Sequence, residues 1–429
     1  MDSEDEDHDL PDGEKKCDCC GHPFDEFPGT EDSEVVEVEV RAYRRRIRRK
    51  RYKKTCRCAG RPGIVTAPGP AKLIPKGAYG VSFWVLVLLN KFLFQQPTYR
   101  LLRDFELTQG LRVSQGTVTG GMECLAPNFE PLYEAIRARC VSEDRWHADE
   151  TRWLVFEDVV GKTGYRWWLW VFRSESTVSF VLDPSRSSRV AQDFFGKEAR
   201  GILNVDRYIV YKLLAKESDD RILLAFCWAH VRRDFLSVAK DWPTEESWAF
   251  EWIDSIRELY GLNKQRLLAA PESDVYESAQ EALCEALDGM EAKRDLQLAE
   301  PNLHPARRKT LESLKNHWSG LTVFRDHPEV PMDNNQAERD LRNPVVGRKG
   351  YFGSGAIWAG KLAVWLFSIF QTLLVWDINP RLWMTFYLEA CAQNGGNAPA
   401  DVARFLPWNL PEEQLCKLRT PDTRKNDTS

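Results

Sequence analysis

Long apolar stretches are missing from this 429-residue chain. Its most apolar run, residues 362–376, has fifteen residues and includes Ser368, Gln371 and Thr372. A helix needs about 20 apolar residues to cross a bilayer, so we expect a buried core helix here and no membrane partner. The sequence also lacks an internal repeat, which argues against a repeat architecture.

A basic and apolar signal peptide is also lacking. The chain opens instead with MDSEDEDHDL, whose acidity is the opposite of a transit peptide. Six of the eleven cysteines stand singly, a pattern typical of free thiols in a reducing compartment; they are Cys124, Cys140, Cys227, Cys284, Cys391 and Cys416. We therefore expect a cytoplasmic protein.

The formal charge of -5 hides an uneven distribution. Residues 1–34 hold fourteen Asp and Glu against two Lys, which leaves 57 Lys and Arg against 50 Asp and Glu in residues 35–429. A basic body favours a polyanionic partner. Residues 1–16, acidic and nearly devoid of large apolar side chains, predict a disordered tail.

From residue 145 the pattern is that of strands followed by alternating helices and strands. Three segments rich in Trp, Val and Phe predict a meander. The elements, in order, are strands at 147–156, 165–172 and 178–183, a helix at 188–195, a strand at 201–206, a helix at 208–215, a strand at 222–228 and a helix from Ala229. This order predicts a ribonuclease-H-like mixed sheet in an α/β fold. Residues 244–325 predict an all-helical insertion, after which the fold resumes with a helix near Asn334.

Residues 77–140 carry apolar residues at helical spacing. Within them, residues 97–122 predict a helix, a turn at Gly110 and a second helix with Ser114 as its N-cap. The second helix of such a motif commonly enters the major groove of DNA. Its reading face would consist of Gln115, Gly116, Thr117, Thr119, Gly120 and Gly121. Because glycine weakens a helix, a plain helical hairpin is the alternative.

Three carboxylates fall at related places in the predicted core. Asp149 lies in the first strand, Asp206 closes the fourth strand, and Glu338 opens the helix after the insertion. In a ribonuclease-H-like sheet the first and fourth strands are neighbours, so these acids can meet. Oxygen ligands suit Mg²⁺ or Mn²⁺, and two such ions about 3.5–4 Å apart would serve an in-line phosphoryl transfer. A turn or helix-cap role is the alternative for each acid.

Basic residues surround Glu338, within the segment MDNNQAERDLRNPVVGRKGYFGSG. We expect Arg339, Arg342, Arg348 and Lys349 to hold phosphates beside the metals; a solvated basic face is the alternative. Should Glu338 not be the third ligand, Asp333 and Asp340 on the same segment are the substitutes.

Cysteines near the N-terminus form two pairs, Cys17-x2-Cys20 and Cys56-x-Cys58. Four thiolates make the closed tetrahedral site that structural zinc prefers, so we expect one Zn²⁺. Cys19 or His22 could substitute for one ligand, and a redox or unliganded cluster is the alternative.

Between the cysteine pairs, residues 34–47 alternate in polarity and predict a strand. The overlapping arm 41–54 holds ten Arg and Lys and no acid. Such density suggests contact with a phosphate backbone, through Arg45, Arg46, Arg48 and Arg49 among others; a solvated strand is the alternative.

These segments resemble the TnpC-type transposases of the insertion-sequence-sixty-six family, in the wider DDE group, over about residues 17–408. The resemblance rests on HADET around Asp149, NVDRYIVY around Asp206, FCWAHVRRDF at 226–235, the block around Glu338, and SIFQTLLVWDINPRLWMTFYLEA near the C-terminus. It implies a catalytic triad of Asp149, Asp206 and Glu338, a zinc-binding and DNA-associated N-terminal module, and helper proteins of the same element.

Two departures from the family pattern stand out. Arg207 replaces the usual glycine after the second aspartate, which predicts a more crowded and basic approach to the metals. The family's N-terminal coiled region is absent, which bears on self-association. Trp228, His230 and Arg232 lie in a segment that the family shares; we rank them as supporting residues, with a core or capping histidine as the alternative for His230.

Together these features predict a DNA transposase that cleaves element ends and joins them to target DNA. Its expected partners are double-stranded DNA, helper proteins and further copies of itself on DNA, in the cytoplasm and at the bacterial nucleoid. The alternatives are a non-catalytic DNA-binding derivative and a nuclease without strand joining. The predicted organisation is a tail (1–16), a zinc unit with basic arm (17–60), a linker (61–76), a helical segment (77–140), a catalytic core (141–243 and 326–395), a helical insertion (244–325) and a C-terminal tail (396–429).

The cysteine pairs generate a prediction on metal content. Purified protein should contain about one zinc per chain, and changing Cys17, Cys20, Cys56 or Cys58 to Ser should remove it. Elemental analysis of protein prepared without chelators measures this. A preparation without zinc would contradict the site.

Overall fold

The computed structural model describes residues 8–11, 14–25, 40–55, 62–219 and 221–419. The chain divides into two compact units, 1–43 and 44–429. In the first unit, Lys16 and Pro23 form an isolated antiparallel bridge. The N–H of Cys17 donates to the carbonyl of His22, and the N–H of Gly21 donates to the carbonyl of Cys17. Gly21 has a φ of 71°, which glycine adopts without strain.

The second unit begins with two short strands, β1 (Arg51–Lys53) and β2 (Ile64–Thr66), which pair antiparallel. Residues 34–39 of the strand predicted at 34–47 lie outside the described residues, and residues 40–50 have no regular structure, so no strand forms over the described part of that prediction. The segment 61–76, predicted to be a linker, contains β2 and a buried residue, Leu73. The Pro and Gly residues of this segment predict a linker, but the β-branched run Ile64–Thr66 within it favours a strand.

The remaining strands form one sheet. They are β3 (Arg145–Leu154), β4 (Arg166–Arg173), β5 (Val178–Asp183), β6 (Gly201–Val205) and β7 (Ile222–Phe226). The strand order is β5-β4-β3-β6-β7. Strands β3, β4 and β5 pair antiparallel, whereas β6 lies parallel to both β3 and β7. The predicted mixed sheet, with the first and fourth of these strands as neighbours, is confirmed.

Helices occupy most of the remaining chain. The α-helices are α1 (Val81–Leu88), α2 (Thr98–Gln109), α3 (Gln115–Leu125), α4 (Glu130–Ser142), α5 (Ser188–Phe195), α6 (Ile209–Glu217), α7 (Trp228–Asp241), α8 (Glu246–Leu268), α9 (Asp274–Leu298), α10 (Pro305–Asn316), α11 (Trp318–Leu321), α12 (Val323–Asp326), α13 (Asn335–Tyr351), α14 (Ile357–Val375), α15 (Pro380–Gln393) and α16 (Glu412–Leu418). A π-helix spans Leu89–Leu93, and short 3-10 turns lie at Ala126–Asn128, Pro243–Glu245, Ala403–Phe405 and Pro407–Asn409.

The two faces of the sheet bury separate cores, because side chains alternate along each strand. Trp146 and Ala148 of β3 join the core formed with α5 to α12. Trp153 lies an odd number of residues from both Trp146 and Ala148, so it is on the other face of β3. It joins the second core, which is formed with α1 to α4 and α13 to α16. That second core includes Phe405 and Leu415. The segment predicted as a C-terminal tail is therefore folded over part of its length, since its widely spaced apolar residues reach this core.

Helices α2 and α3 match the predicted helix, turn and helix. Gly110 ends α2 in the left-handed conformation, and the Ser114 side chain accepts the N–H of Thr117 at 3.1 Å. The predicted reading face includes Gly121, but Gly121 is buried, and a Cβ there would lie 1.8 Å from the Trp84 ring. Its glycine is required for packing against α1. Gln115, Gly116, Thr117 and Gly120 are exposed.

Helix α14 is longer than its apolar run, and by length and composition it could cross a membrane. In this structure it packs along β5, the edge strand of the sheet. The backbone N–H groups of Val178 and Phe180 donate to the hydroxyls of Thr372 and Ser368 at 3.0 and 2.9 Å. Both hydroxyls are fully buried. The polar residues that interrupt the apolar run thus satisfy the free edge of β5.

This edge contact generates a prediction on stability. Thr372→Val keeps the shape of the side chain but leaves the Val178 N–H buried without a partner, which should lower the free energy of unfolding by about 1–3 kcal/mol. Urea unfolding followed by circular dichroism measures the change. Thr385→Val is the control, because the Thr385 hydroxyl only donates to its own helix, at Arg381. Equal effects of the two changes would contradict the assignment.

Candidate active site

Asp149 and Asp206 are neighbours because of the register between β3 and β6. His147 lies opposite Asn204 in this parallel pair. Continued by two residues, the register places Asp149 opposite Asp206, the residue directly after β6. Neighbouring strands are about 4.8 Å apart, and residues in register point to the same face. The middle of β3 and the end of β6 thus bring both aspartates to one place.

Glu338 reaches the same place from α13, which packs against β3 and β4. It lies in the first turn of the helix, where the positive end of the helix dipole favours a carboxylate. One of its oxygens, Oε1, is 3.9 Å from Nε2 of His230. The charges of Asp206 and Glu338 both act on Asp149, and both also act on His230. The structure therefore brings the three predicted acids and His230 into one acidic cluster.

The electrostatics of this cluster are unfavourable for Asp149. Burial raises the pKa of Asp149 to about 7, with further contributions from Glu150, Asp206 and Glu338. Among the residues that the structure describes, no Lys or Arg forms an ion pair with any of the three acids. Like charges that are held close together without a cation lower the stability of the fold. The cluster is thus suited to bind a cation from solution.

Two further acids lie close to cluster acids along the chain, but each of these two has an arginine partner. Asp340 accepts two hydrogen bonds from Nη1 of Arg173, both at 3.0 Å. Glu150 accepts from Nε and Nη2 of Arg186 at 2.9 and 2.5 Å. This pairing leaves Asp340 unsuited as a substitute for Glu338. Asp333, the other substitute, accepts the N–H of Asn335 at the start of α13.

The Glu150 side chain lies on the opposite face of β3, and sequence reasoning missed its contacts. Tyr211 donates to it at 2.6 Å. Its partner Arg186 lies over the rings of Trp168 and Tyr208, at 4.6 and 4.0 Å. The Glu150 N–H donates to Asp149 at 2.8 Å, and the Tyr208 N–H donates to Asp206 at 2.9 Å. These contacts hold Asp149 and Asp206 in position. In the sequence, only the HADET motif points to them.

The donor set fits a hard divalent ion. All three acids offer oxygen, and Mg²⁺ typically takes one or two carboxylates and completes its shell with water and phosphate. Within the described part of the chain, no three His, Cys, Asp or Glu side chains form a ready-made metal site. Such a site is not required for an ion that shares its ligands with a substrate.

The predicted supporting residues fall in different environments. Trp228 is fully buried, and its Nε1 donates to the carbonyl of Leu321 at 2.7 Å, so its side chain belongs to the core. Arg232 is exposed. His230 borders the acidic cluster; burial lowers its pKa, and its Nδ1 finds no hydrogen-bond partner in the described structure. Of the three, only His230 contacts the cluster.

The predicted phosphate ligands on α13 also differ in their exposure and in their contacts. Arg339, Arg342 and Lys349 are exposed, and no acid pairs with them in the described part of the molecule. Arg348 is half-buried and donates to the Thr151 hydroxyl at 3.0 Å and to the carbonyl of Arg152. It ties α13 to β3. Three cations thus line the helix that carries Glu338.

Arg207 does not crowd the cluster as expected. Its Nη2 donates to Asp234 at 2.5 Å, and its Nη1 donates to the Ser313 hydroxyl at 3.0 Å. These bonds draw the side chain towards α7 and α10, although its charge still lowers the pKa of His230. The arginine therefore attaches the insertion to the end of β6.

The predicted zinc ligands are only partly described. Cys56 and Cys58 lie outside the described residues. Backbone N–H groups of Cys20 and Cys19 lower the pKa of the Cys17 thiol, which favours the thiolate that binds metal. In the basic arm, Arg45, Arg46 and Arg48 are exposed, whereas Arg49 donates to the carbonyl of Ala67 at 2.6 Å.

A mixed α/β fold with acids on two neighbouring strands and on the helix packed against them is consistent with the core of a transposase. The chain belongs to the transposase IS66 family, whose family model matches residues 76–362. This finding confirms the resemblance in the sequence. Membership implies a transposase-related role and binding of DNA.

Three relatives of this chain come from Sinorhizobium fredii (strain NBRC 101917 / NGR234). The chain is 26% identical to the uncharacterized protein y4jD over 94% of its own length and 79% of that protein. It is 26% identical to the uncharacterized protein y4qI, over 83% and 67% of the two chains. The uncharacterized protein y4hP is 23% identical, over 91% and 73%.

The raised pKa of Asp149 generates a prediction on the pH dependence of stability. The folded state favours the protonated acid, so stability is lost as the pH rises from about 4, the ordinary value, to about 7. Without divalent ions, Asp149→Asn should therefore raise the free energy of unfolding at pH 8 by on the order of 1–4 kcal/mol. The gain should shrink below pH 5.

Urea unfolding at several pH values tests this expectation. Asp158→Asn is the control, because Asp158 is exposed and its loss should change stability little at any pH. A gain for Asp149→Asn that does not depend on pH would contradict the role of its charge.

Proposed function

We propose that this protein is a DNA transposase that cleaves the ends of a mobile element and joins them to target DNA. The observation that carries the proposal is the cluster of Asp149, Asp206 and Glu338, three acids without an arginine or lysine partner in the described structure. The sheet order, with three antiparallel strands followed by two parallel ones, supports a ribonuclease-H-like core.

Asp149, Asp206 and Glu338 would hold two Mg²⁺ or Mn²⁺ ions. When bound, such ions activate the attacking oxygen and stabilise the leaving oxygen of an in-line phosphoryl transfer. In the first step, water attacks the phosphodiester, the P–O bond to the 3′ oxygen breaks, and a 3′ hydroxyl is released. In the second step, that hydroxyl attacks a target phosphodiester, forms a new P–O bond and releases a target 3′ hydroxyl.

The chain's own residues position the DNA for both steps. Arg339, Arg342 and Lys349 lie on α13, within about 17 Å of Glu338 along the helix axis. They would hold the phosphates on either side of the reacting one, since each is exposed and lacks an acidic partner in the described part of the chain. His230, beside Glu338, would contact a phosphate or the attacking water.

Contacts away from the cluster would supply affinity without sequence selectivity. Arg45, Arg46, Arg48 and Arg49 would bind the phosphate backbone, while the zinc unit and the exposed residues of α3 would contact element ends. We further propose that the protein acts in the cytoplasm as an oligomer on DNA, with helper proteins of the same element.

A non-catalytic DNA-binding derivative is the second candidate. It would keep the basic arm and the helices but have no use for an unneutralised acidic cluster. The charged form of Asp149 lowers the stability of the fold, because it is buried beside other acids. Selection for DNA binding alone would not maintain such a destabilising group.

Amide substitutions test the proposal. Asp149→Asn, Asp206→Asn and Glu338→Gln keep volume but remove the charge that divalent ions require. Each should lower the rate of strand cleavage by at least about 10³-fold, while binding of element-end DNA in Ca²⁺ stays within twofold of the parent. Cleavage and joining are measured on DNA that carries the repeats flanking the gene, in Mg²⁺ and in Mn²⁺.

Asp340→Asn is the matched control on the same helix. It removes a carboxylate that Arg173 already neutralises, so it should reduce stability but leave cleavage in place. If Glu338→Gln cleaved at the parental rate while Asp149→Asn did not, Asp333 would be the next residue to test. If all three variants cleaved normally, the protein would not use this cluster.

A further inference from the structure

One amide side chain contacts several segments that carry the acidic cluster. Asn334 lies directly before α13 and is 1% exposed. Its Nδ2 donates to the carbonyl of Ala148 at 2.7 Å, and its Oδ1 accepts from Nδ1 of His147 at 3.1 Å. Its backbone N–H donates to Sγ of Cys227 at 3.2 Å. Both hydrogen-bonding groups of the amide are therefore used.

Each of these contacts ends next to a residue of the cluster. The Ala148 carbonyl belongs to the peptide that precedes Asp149. Cys227 comes directly before α7, three residues ahead of His230. On the other side, the carbonyl of Asn334 accepts the N–H of Glu338 at 3.3 Å. The side chain thus links β3 to the first turn of α13, and its backbone links that turn to the start of α7.

Only an amide satisfies this arrangement. The group facing the Ala148 carbonyl must donate, while the group facing Nδ1 of His147 must accept. An aspartate would place an oxygen against the Ala148 carbonyl, and alanine would leave that carbonyl and the histidine buried without partners. Arg348 also ties α13 to β3, at the far end of the helix, but Asn334 holds the two elements together beside Asp149 and Glu338.

We infer that Asn334 is a positioning residue that sets the separation of Asp149 and Glu338 for divalent ions. The inference rests on the proposed function, since it assigns these acids to a metal site. Residues that hold metal ligands in place typically change metal affinity 10–100-fold when they are replaced. A residue that only stabilises the fold would change unfolding but not metal affinity.

Asn343 offers a matched control on the same helix. Its Nδ2 also donates to a backbone carbonyl, that of Leu93, at 2.9 Å. It lies about 14 Å further along the helix axis from Asn334. Asn334→Ala and Asn343→Ala both remove one such bond, but only the first touches the segments that carry the acids.

Mn²⁺ binding to the full-length protein without DNA is the decisive measurement, followed by electron paramagnetic resonance of the free ion. Asn334→Ala should raise the dissociation constant for Mn²⁺ about 10–100-fold, and Asn343→Ala should leave it within twofold. Unfolding in urea is measured in parallel. The Mg²⁺ concentration for half-maximal cleavage should rise in step with the Mn²⁺ constant.

A pair of variants at His147 keeps the test valid if Asn334→Ala does not fold. His147→Ala removes the donor to Oδ1 and should weaken Mn²⁺ binding, whereas His147→Asn can return a donor at the Nδ1 position and should restore much of it. Parental Mn²⁺ affinity in Asn334→Ala would overturn the inference, as would parental affinity in His147→Ala where Asn334→Ala does not fold, or an equal loss in Asn343→Ala. A parent protein that binds no Mn²⁺ would instead overturn the proposed function.

Discussion

The burial of the Asp149 carboxylate beside two further acids, Asp206 and Glu338, is the constraint on which the rest of the site depends. Asp149, Asp206 and Glu338 come from two strands and a helix, and no protein cation neutralises them in the described structure. Such a cluster persists only if the backbone around it is fixed independently. The parallel pairing of β3 with β6, the packing of α13 and the buried bonds behind the aspartates provide that fixation.

Two acids close to the cluster along the chain are neutralised by arginine, in contrast to the cluster acids themselves. Glu150 and Asp340 lie within two positions of a cluster acid along the chain, yet each is paired with arginine. A buried pair contributes little net stability, but it holds strand and helix in a fixed geometry. The two structural acids are buried and paired with arginine, whereas the three cluster acids are partly exposed and have no such partner in the described structure.

Much of this organisation was accessible from the sequence. Alternating apolar residues located every strand of the main sheet within a few positions, because local periodicity reports the buried face. The acids are located from the sequence by their places in the first predicted strand, at the end of the fourth and at the start of the helix after the insertion. By contrast, the partners of Glu150, Asp340 and Arg207 depend on contacts between residues distant in the chain, which local patterns do not encode. The strand Ile64–Thr66 was missed because its Pro and Gly neighbours suggested a linker.

The hydroxyls of Ser368 and Thr372 have a consequence for association between copies of the chain. An edge strand with free backbone groups can pair with a strand of another molecule and extend the sheet. On β5 these groups are already used at Val178 and Phe180, whose carbonyls accept from Thr372 and Tyr133. At these two residues β5 offers another copy no free backbone group. An oligomer of the kind proposed above would therefore form through surfaces other than this part of β5, and the sheet would keep its own strand order when copies assemble.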